Sequence, residues 1–308
     1  MTLTEPILVI AFNRPDHLAQ VFSRLREVEP QTLYLAVDGA RADRLGEDRK
    51  VQSCRDLVDS IDWPCQVHTL FHDHNLGCGV GVSTAISWFF HHENRGIILE
   101  DDILPDLTFF PYCVELLDRY EDDDRVFAIS GCNFVPNQGL TDPTAPYRFS
   151  QVPHIWGWAT WRRSWARYEL NIKGWRRRVP QRLLWNRVGR SVPGMIYWNA
   201  TFELLARQEV DTWDGQLVLA SMEAGQLTAT SNVNLVRNIG FDEEATHTVV
   251  DMGDLQPVGA MSFPMRTVPV ERDTRADAWT LRNHFRATWQ GMMGQAVRHL
   301  TRRRETSR

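Results

Sequence analysis

Gly96-Ile97-Ile98-Leu99-Glu100-Asp101-Asp102 is an apolar run that ends abruptly in three consecutive carboxylates. The apolar part lacks the alternation of a strand with one wet face, so it reads as a β-strand buried on both sides. Adjacent carboxylates repel one another, and a buried strand that ends in three of them needs a positive partner. A divalent cation bridging a diphosphate supplies one, because Mg²⁺ and Mn²⁺ prefer oxygen ligands and often take only one or two from protein. A solvated acidic loop is the ordinary alternative, and the apolar run in front weighs against it.

Working outward, the first half of the chain alternates strand-like and helix-like segments. Residues 7–12 (ILVIAF) form another continuous apolar run. Asn13 offers a helix N-cap, Pro15 sits in the first turn, and Leu18, Val21, Phe22 and Leu25 fall on one stripe. Strands are expected at 32–37, which ends in Asp38-Gly39, at 66–71 and at 126–130. A turn at His74-Asn75-Leu76-Gly77 leads into a helix with the stripe Val82, Ala85, Ile86, Phe89 and Phe90. Strands alternating with helices imply an α/β fold with a mostly parallel central sheet flanked by helices. From about residue 143 the alternation breaks into short strands, a Trp-rich segment, a helix at 213–224 and a β-like stretch at 227–236. An extended linker is expected at 251–269, and Leu281, Phe285, Trp289, Met292 and Ala296 mark a C-terminal helix that ends in arginines. The expected organisation is one domain over 1–248, with a nucleotide-binding half at 1–135 and an acceptor half at 136–248. Residues 249–308 form the linker and an amphipathic basic helix.

The bulk numbers narrow the function classes. The 308 residues carry a formal net charge of −5, which argues against nucleic acid as a partner, since such proteins spread positive charge to replace counterions. The five cysteines are odd in number and form no CxxC pair, so neither a zinc site nor a disulfide framework is indicated. The N-terminus lacks the basic start and apolar stretch of a signal peptide, and no run approaches the ~20 apolar residues that span a bilayer. A cytoplasmic protein is expected. The basic C-terminal helix adds the further expectation of peripheral contact with an anionic membrane face; its cations also suit a helix C-terminus with no membrane present.

In a parallel sheet, ligands bind beyond the carboxyl ends of the strands. Asn13-Arg14, Asp38-Gly39 and Glu100-Asp101-Asp102 all fall there. The order of strand one, Val37-Asp38, Asn75-Leu76-Gly77, Leu99-Glu100-Asp101-Asp102 and Trp213-Asp214 resembles the GT-A-fold glycosyltransferases. It is most similar to those akin to N-acetylglucosaminyltransferase I, including bacterial relatives with a segment like Trp156-Gly-Trp-Ala-Thr-Trp161. The resemblance covers roughly residues 5–248, and the acidic triplet is its specific part.

The resemblance implies that Asp102 ligates Mn²⁺ or Mg²⁺, that Asp101 contacts the ribose or metal-bound water, and that Glu100 contacts the nucleotide-sugar. Asp38 would accept a hydrogen bond from a uracil ring, and Arg14 would lie near the nucleotide. Asp214 would be the catalytic base that takes the acceptor hydroxyl proton in a one-step, inverting displacement. His247 would reach back as a metal or diphosphate ligand, as a late histidine does in some enzymes of this fold. Each position also has an ordinary reading: a first-turn carboxylate at a helix N-terminus for Asp214, a turn closing a strand for Asp38, a solvated arginine for Arg14 and a surface histidine for His247.

The segment from His154 to Arg163 is too rich in tryptophan for a simple stripe. Aromatic rings offer flat apolar faces to sugars, so Trp158 is expected over the donor sugar or acceptor, with Gly157 allowing close backbone approach. At least half of these rings would be core. The expected activity is transfer of a sugar from a nucleoside diphosphate sugar, uridine-based, to a hydroxyl-bearing glycan or glycolipid acceptor. Two rivals remain. A sugar-nucleotide nucleotidyltransferase would want a glycine-rich basic loop after the first strand, where this chain has Phe12-Asn-Arg-Pro-Asp16. A non-catalytic carbohydrate-binding protein would have no use for the acidic triplet.

Overall fold

The computed structural model describes residues 2–240 and 256–291. The chain runs β1 (Ile7–Ala11), α1 (Pro15–Val28), β2 (Thr32–Val37), α2 (Glu47–Asp56), β3 (Gln66–Phe71), α3 (Gly77–His92) and β4 (Arg95–Glu100). It continues through β5 (Ile103–Pro105), α4 (Phe109–Arg119), β6 (Val126–Ser130), β7 (Tyr147–Ser150) and β8 (Trp158–Trp161). Four helices follow in quick order, α5 (Arg162–Trp165), α6 (Trp175–Arg178), α7 (Gln181–Arg187) and α8 (Val192–Ala206). Next come α9 (Asp214–Ala224), β9 (Leu227–Ser231) and β10 (Val236–Asn238), and later α10 (Thr274–Asn283).

The fold is α/β around one eight-stranded sheet in the order β3-β2-β1-β4-β8-β6-β9-β7. The strands β3, β2, β1 and β4 are all parallel, with Val9 opposite Leu35 on one side and Leu99 on the other. All five residues of β1 are buried, as the unbroken apolar run requires, and each of its Ile, Leu and Val side chains contributes about 1.5–3 kcal/mol when fully removed from water. The parallel character stops at β4. β8 inserts between β4 and β6 and runs antiparallel to both, and β7 closes the far edge antiparallel to β9. The sheet is therefore mixed across its second half. A two-stranded ribbon of β10 and β5 carries the chain back beside the acidic triplet, pairing Asn238 with Ile103.

Helix α1 buries Leu18, Val21, Phe22, Leu25 and Val28 against the sheet. Its N-cap position is Arg14, with no side-chain cap. Asn13, the residue that looked like a cap, instead donates from Nδ2 to Glu47 Oε1 at 2.8 Å. The stretch at 256–273 returns to the sheet: Asp273 N–H donates to the Phe149 carbonyl at 2.8 Å. Helix α10 begins there, with the Asp273 side chain accepting from the N–H groups of Arg275 and Ala276. Met292, Ala296 and the arginine-rich end of the C-terminal helix lie outside the described residues.

Candidate functional site

The parallel half of the sheet ends in a cleft of about 340 Å³. Ala11 from β1, Val37 from β2 and Glu100 from β4 reach it at the carboxyl ends of their strands, with Phe12 and Asp38 immediately after. Asp101, Asp102, Arg14 and Asp214 line the same cleft. Of the residues singled out from sequence, Arg14, Asp38, Glu100, Asp101, Asp102 and Asp214 are thus brought together. His247 lies outside the described residues.

The triplet is not splayed into water. Asp101 is 8 % exposed, and its Oδ2 accepts from the Phe12 N–H at 3.1 Å. Asp102 Oδ2 accepts from Arg14 Nη1 at 2.9 Å, and the same guanidinium stands 4.0 Å from Asp101 Oδ1. Burial, reinforced by the Asp102 charge, pushes the Asp101 carboxyl up to about 7 against the pull of Arg14 and the Phe12 N–H. Glu100 is driven well above the usual carboxylate range, by burial first and then by Asp102, Asp101 and Asp214. Asp102 is raised by burial and held back by Arg14. One guanidinium against three crowded carboxylates leaves the site short of positive charge.

Among the described residues no three His, Cys, Asp or Glu side chains converge into a ready-made metal site. A hard divalent cation suits the oxygen chemistry here as a site with one or two protein carboxylates, completed by ligand oxygens. Asp102, less buried than Asp101, is the carboxylate nearest to that role, with Asp101 beside it.

Asp38 does structural work at the rim. Its carboxylate accepts from the Gly39 N–H at 2.9 Å, from Asn75 Nδ2 at 2.9 Å and from the Leu76 N–H at 3.0 Å. The turn after β3 is thereby clamped to the end of β2. Gly39 lies so close to the His74 backbone that no Cβ fits between them.

Asp214 opens α9, with Trp213 at the N-cap. Its Oδ1 accepts from Thr212 Oγ1 at 2.5 Å and from the Gly215 N–H at 2.8 Å. The Asp214 side chain is exposed.

The tryptophan expectation is corrected. Trp158 is 1 % exposed, lies on β8 opposite Ile98 and Ser130, and stacks on Trp213 with ring centroids 5.8 Å apart. It is core, because the segment became an interior strand. Gly157 does not line the cleft either. It takes a left-handed φ of 63° at the entry to β8, its carbonyl accepts from the Gly131 N–H at 2.9 Å, and Val236 leaves no space for a Cβ. Trp156 is the ring of this segment that lines the cleft, together with Ile155.

Other cleft residues escaped the sequence reading. Asp211 accepts from the N–H groups of Cys78 and Gly79 at 2.9 and 2.7 Å, capping the start of α3 from a segment more than a hundred residues away. Arg41 is tied to Glu47 and lines the cleft beside Phe12. Gly240 presses its backbone against the Arg14–Asp102 pair, held there by Asn238 Oδ1, which accepts its N–H at 2.8 Å. Only the 38–41 and 238–240 neighbourhoods carried a signal, in their glycines.

No family model matches the chain. Among solved structures it is similar to an apo UDP-glucose pyrophosphorylase, at 8 % identity and a TM-score of 0.35 over 74 % of this chain and 90 % of that one. It is also similar to the inositol-1-phosphate CTP transferase from T. maritima, at 10 % identity and a TM-score of 0.36 over 74 % and 85 %. HddC from Yersinia pseudotuberculosis matches at 10 % identity and a TM-score of 0.32 over 52 % of this chain and 78 % of that one. Likeness of this size carries no argument about the chemistry of the cleft.

Proposed function

We propose that the chain is a metal-dependent, inverting glycosyltransferase that uses a nucleoside diphosphate sugar, uridine-linked, and a hydroxyl-bearing saccharide or glycolipid acceptor. The observation that supports this reading is the convergence of Glu100, Asp101, Asp102, Asp38 and Asp214 on one cleft at the carboxyl rim of the parallel strands. A surplus of buried negative charge there suits a ligand that brings cation and diphosphate together.

Asp102, with Asp101, would hold Mn²⁺ or Mg²⁺, which when bound offsets charge on the leaving diphosphate as a Lewis acid. The remaining roles belong to the chain. Arg14 neutralises part of the triplet and stands where a phosphate oxygen would enter. Asp38 keeps the Asn75-Leu76 turn in place at the nucleoside end. Asp214 takes the proton of the acceptor hydroxyl while that oxygen bonds to the anomeric carbon and the carbon–phosphate-oxygen bond breaks. Its fixed Oδ1 orients the carboxylate for this task.

A sugar-nucleotide nucleotidyltransferase would also use a metal and a nucleotide. The loop after β1 offers it a single arginine and no glycine. A thermal-shift panel of nucleotides and nucleotide-sugars, with and without Mn²⁺, tests the assignment. Stabilisation by a nucleoside diphosphate only with metal, abolished in Asp102→Ala, is expected. An unchanged response in that variant removes Asp102 as the ligand, and stabilisation by nucleoside triphosphates alone favours the nucleotidyltransferase.

A further inference from the structure

The donor cleft does not end at Asp214. Asp214, Thr212, Ile155 and Trp156 wall both that cleft and a second cavity of about 310 Å³. The second cavity is aromatic, lined by Phe134, Trp156, Tyr197 and Trp198 among others. Val152, Trp198 and Phe285 are shared in turn with a third cavity of about 550 Å³. Three cavities therefore adjoin in sequence, with Asp214 at the first boundary.

The third cavity has a lopsided charge. Arg187, Arg190, Arg272 and Arg282 line it with a single carboxylate, Asp277. That carboxylate is already committed: it accepts from Ser150 Oγ at 2.7 Å and from the Gln151 N–H at 3.1 Å, and it pairs with Arg272. Arg187 donates to the Met222 carbonyl at 3.1 Å, which offsets none of its charge. Burial and the neighbouring Arg272 cation both disfavour the charged form of Arg187. Arg190 and Arg282 are exposed and make no ion pair with any described residue. Arg190 sits in the left-handed region at φ 59°, a conformation that costs a non-glycine residue about 1 kcal/mol or more. Helix α8 begins at the same wall after Ser191, and a helix N-terminus adds partial positive charge; the α10 N-terminus there is already capped by the Asp273 carboxylate.

We propose that this arginine-lined cavity binds a phosphoryl group and holds the phosphate end of a phosphorylated saccharide acceptor, whose sugar lies in the aromatic cavity with a hydroxyl at Asp214. Guanidinium forks match phosphate oxygens in pairs, and the aromatic walls between offer flat faces to a pyranose ring. The anion site stands on the cavity alone; the acceptor role rests on the glycosyl-transfer reading above.

Calorimetric titration of the full chain with inorganic pyrophosphate in EDTA tests the anion site. Arg190→Ala/Arg282→Ala removes two exposed side chains and is expected to weaken binding about tenfold or more. Unchanged affinity in the double variant overturns the site. Mn²⁺-dependent nucleotide stabilisation in the same preparations reports separately on the donor cleft. With a turned-over donor, hexose 1-phosphates should show a KM about tenfold below that of the matching free hexoses. That advantage should vanish in the double variant with kcat retained. Equal use of both acceptors by the wild type overturns the acceptor assignment.

Discussion

Arg14 Nη1 stands 2.9 Å from Asp102 Oδ2, both side chains largely shielded from solvent, so the chain's own guanidinium engages the carboxylate that the proposed reaction gives to a cation. Arg14 acts as an internal counter-charge, and ligand binding must rearrange or share that contact.

Arg14→Ala should therefore have two opposite effects. Removing one partner of a shielded pair leaves the Asp102 carboxylate uncompensated in a crowded acidic site, and stability at neutral pH should fall by about 1–3 kcal/mol. Affinity for free Mn²⁺ should rise, because nothing now competes for Asp102. Chemical denaturation and Mn²⁺ titration by electron paramagnetic resonance read the two effects. A variant as stable as wild type with unaltered Mn²⁺ affinity would show that the pair does neither.

Asp214→Asn keeps the Oδ1 acceptor for Thr212 and Gly215 but cannot take a proton. Turnover should drop by about 10²–10⁴-fold, with metal-dependent nucleotide binding unaltered, since the proposed role of the residue is towards the acceptor. Retained kcat in a steady-state assay would assign the base elsewhere.

At the proposed nucleoside end, Asp38→Ala strands the Leu76 and Gly39 N–H groups and takes one of two acceptors from the Asn75 amide. A cost of about 1–3 kcal/mol follows from the unpaired donors, and hydrogen exchange should quicken in the 74–77 turn before anywhere else. Protection at Leu76 that survives the substitution would mean the turn holds itself.

An acid-sensitive pair lies beneath the aromatic cavity. His154 is 6 % exposed and held well below its ordinary range by burial, with His284 adding to the effect; burial brings His284 down to about 4. Their rings are 5.7 Å apart. Both stay neutral in the fold while the unfolded chain protonates near 6.5. The stability they confer is complete above that value and is lost as pH falls from there towards 4. The loss is about 2 kcal/mol per well-shielded imidazole at pH 5. Urea midpoints at pH 7.5 and 5 should separate in wild type and converge in His154→Asn/His284→Asn. Equal separation in the variant would place the acid sensitivity elsewhere.

Much of the cleft around the acidic triplet was legible because it is local. Residues 7–11 and 96–99 announce buried strands by their lack of polar residues, and the triplet that follows stands out against them. The second half of the chain was opaque for two physical reasons. The Trp158 segment looks like a ligand platform in one dimension, yet its fate was decided by the gap between β4 and β6, a tertiary fact. Asp211 caps α3 across a long sequence separation, and the arginines of the third cavity come from α7, the turn after it, the stretch before α10 and α10 itself, spread between residues 187 and 282. No periodicity records such meetings.

The placement of β8 also governs how the molecule can be taken apart. It follows β6 in the chain yet lies between β4 and β6, antiparallel to both. A fragment that stops near residue 135 would leave β4 bare on one side and β6 bare on both, their backbone amides and carbonyls unanswered. The half that carries the triplet is thus unable to serve as a portable module. Chimaeras that trade the two halves between enzymes must carry 158–161 with the N-terminal piece.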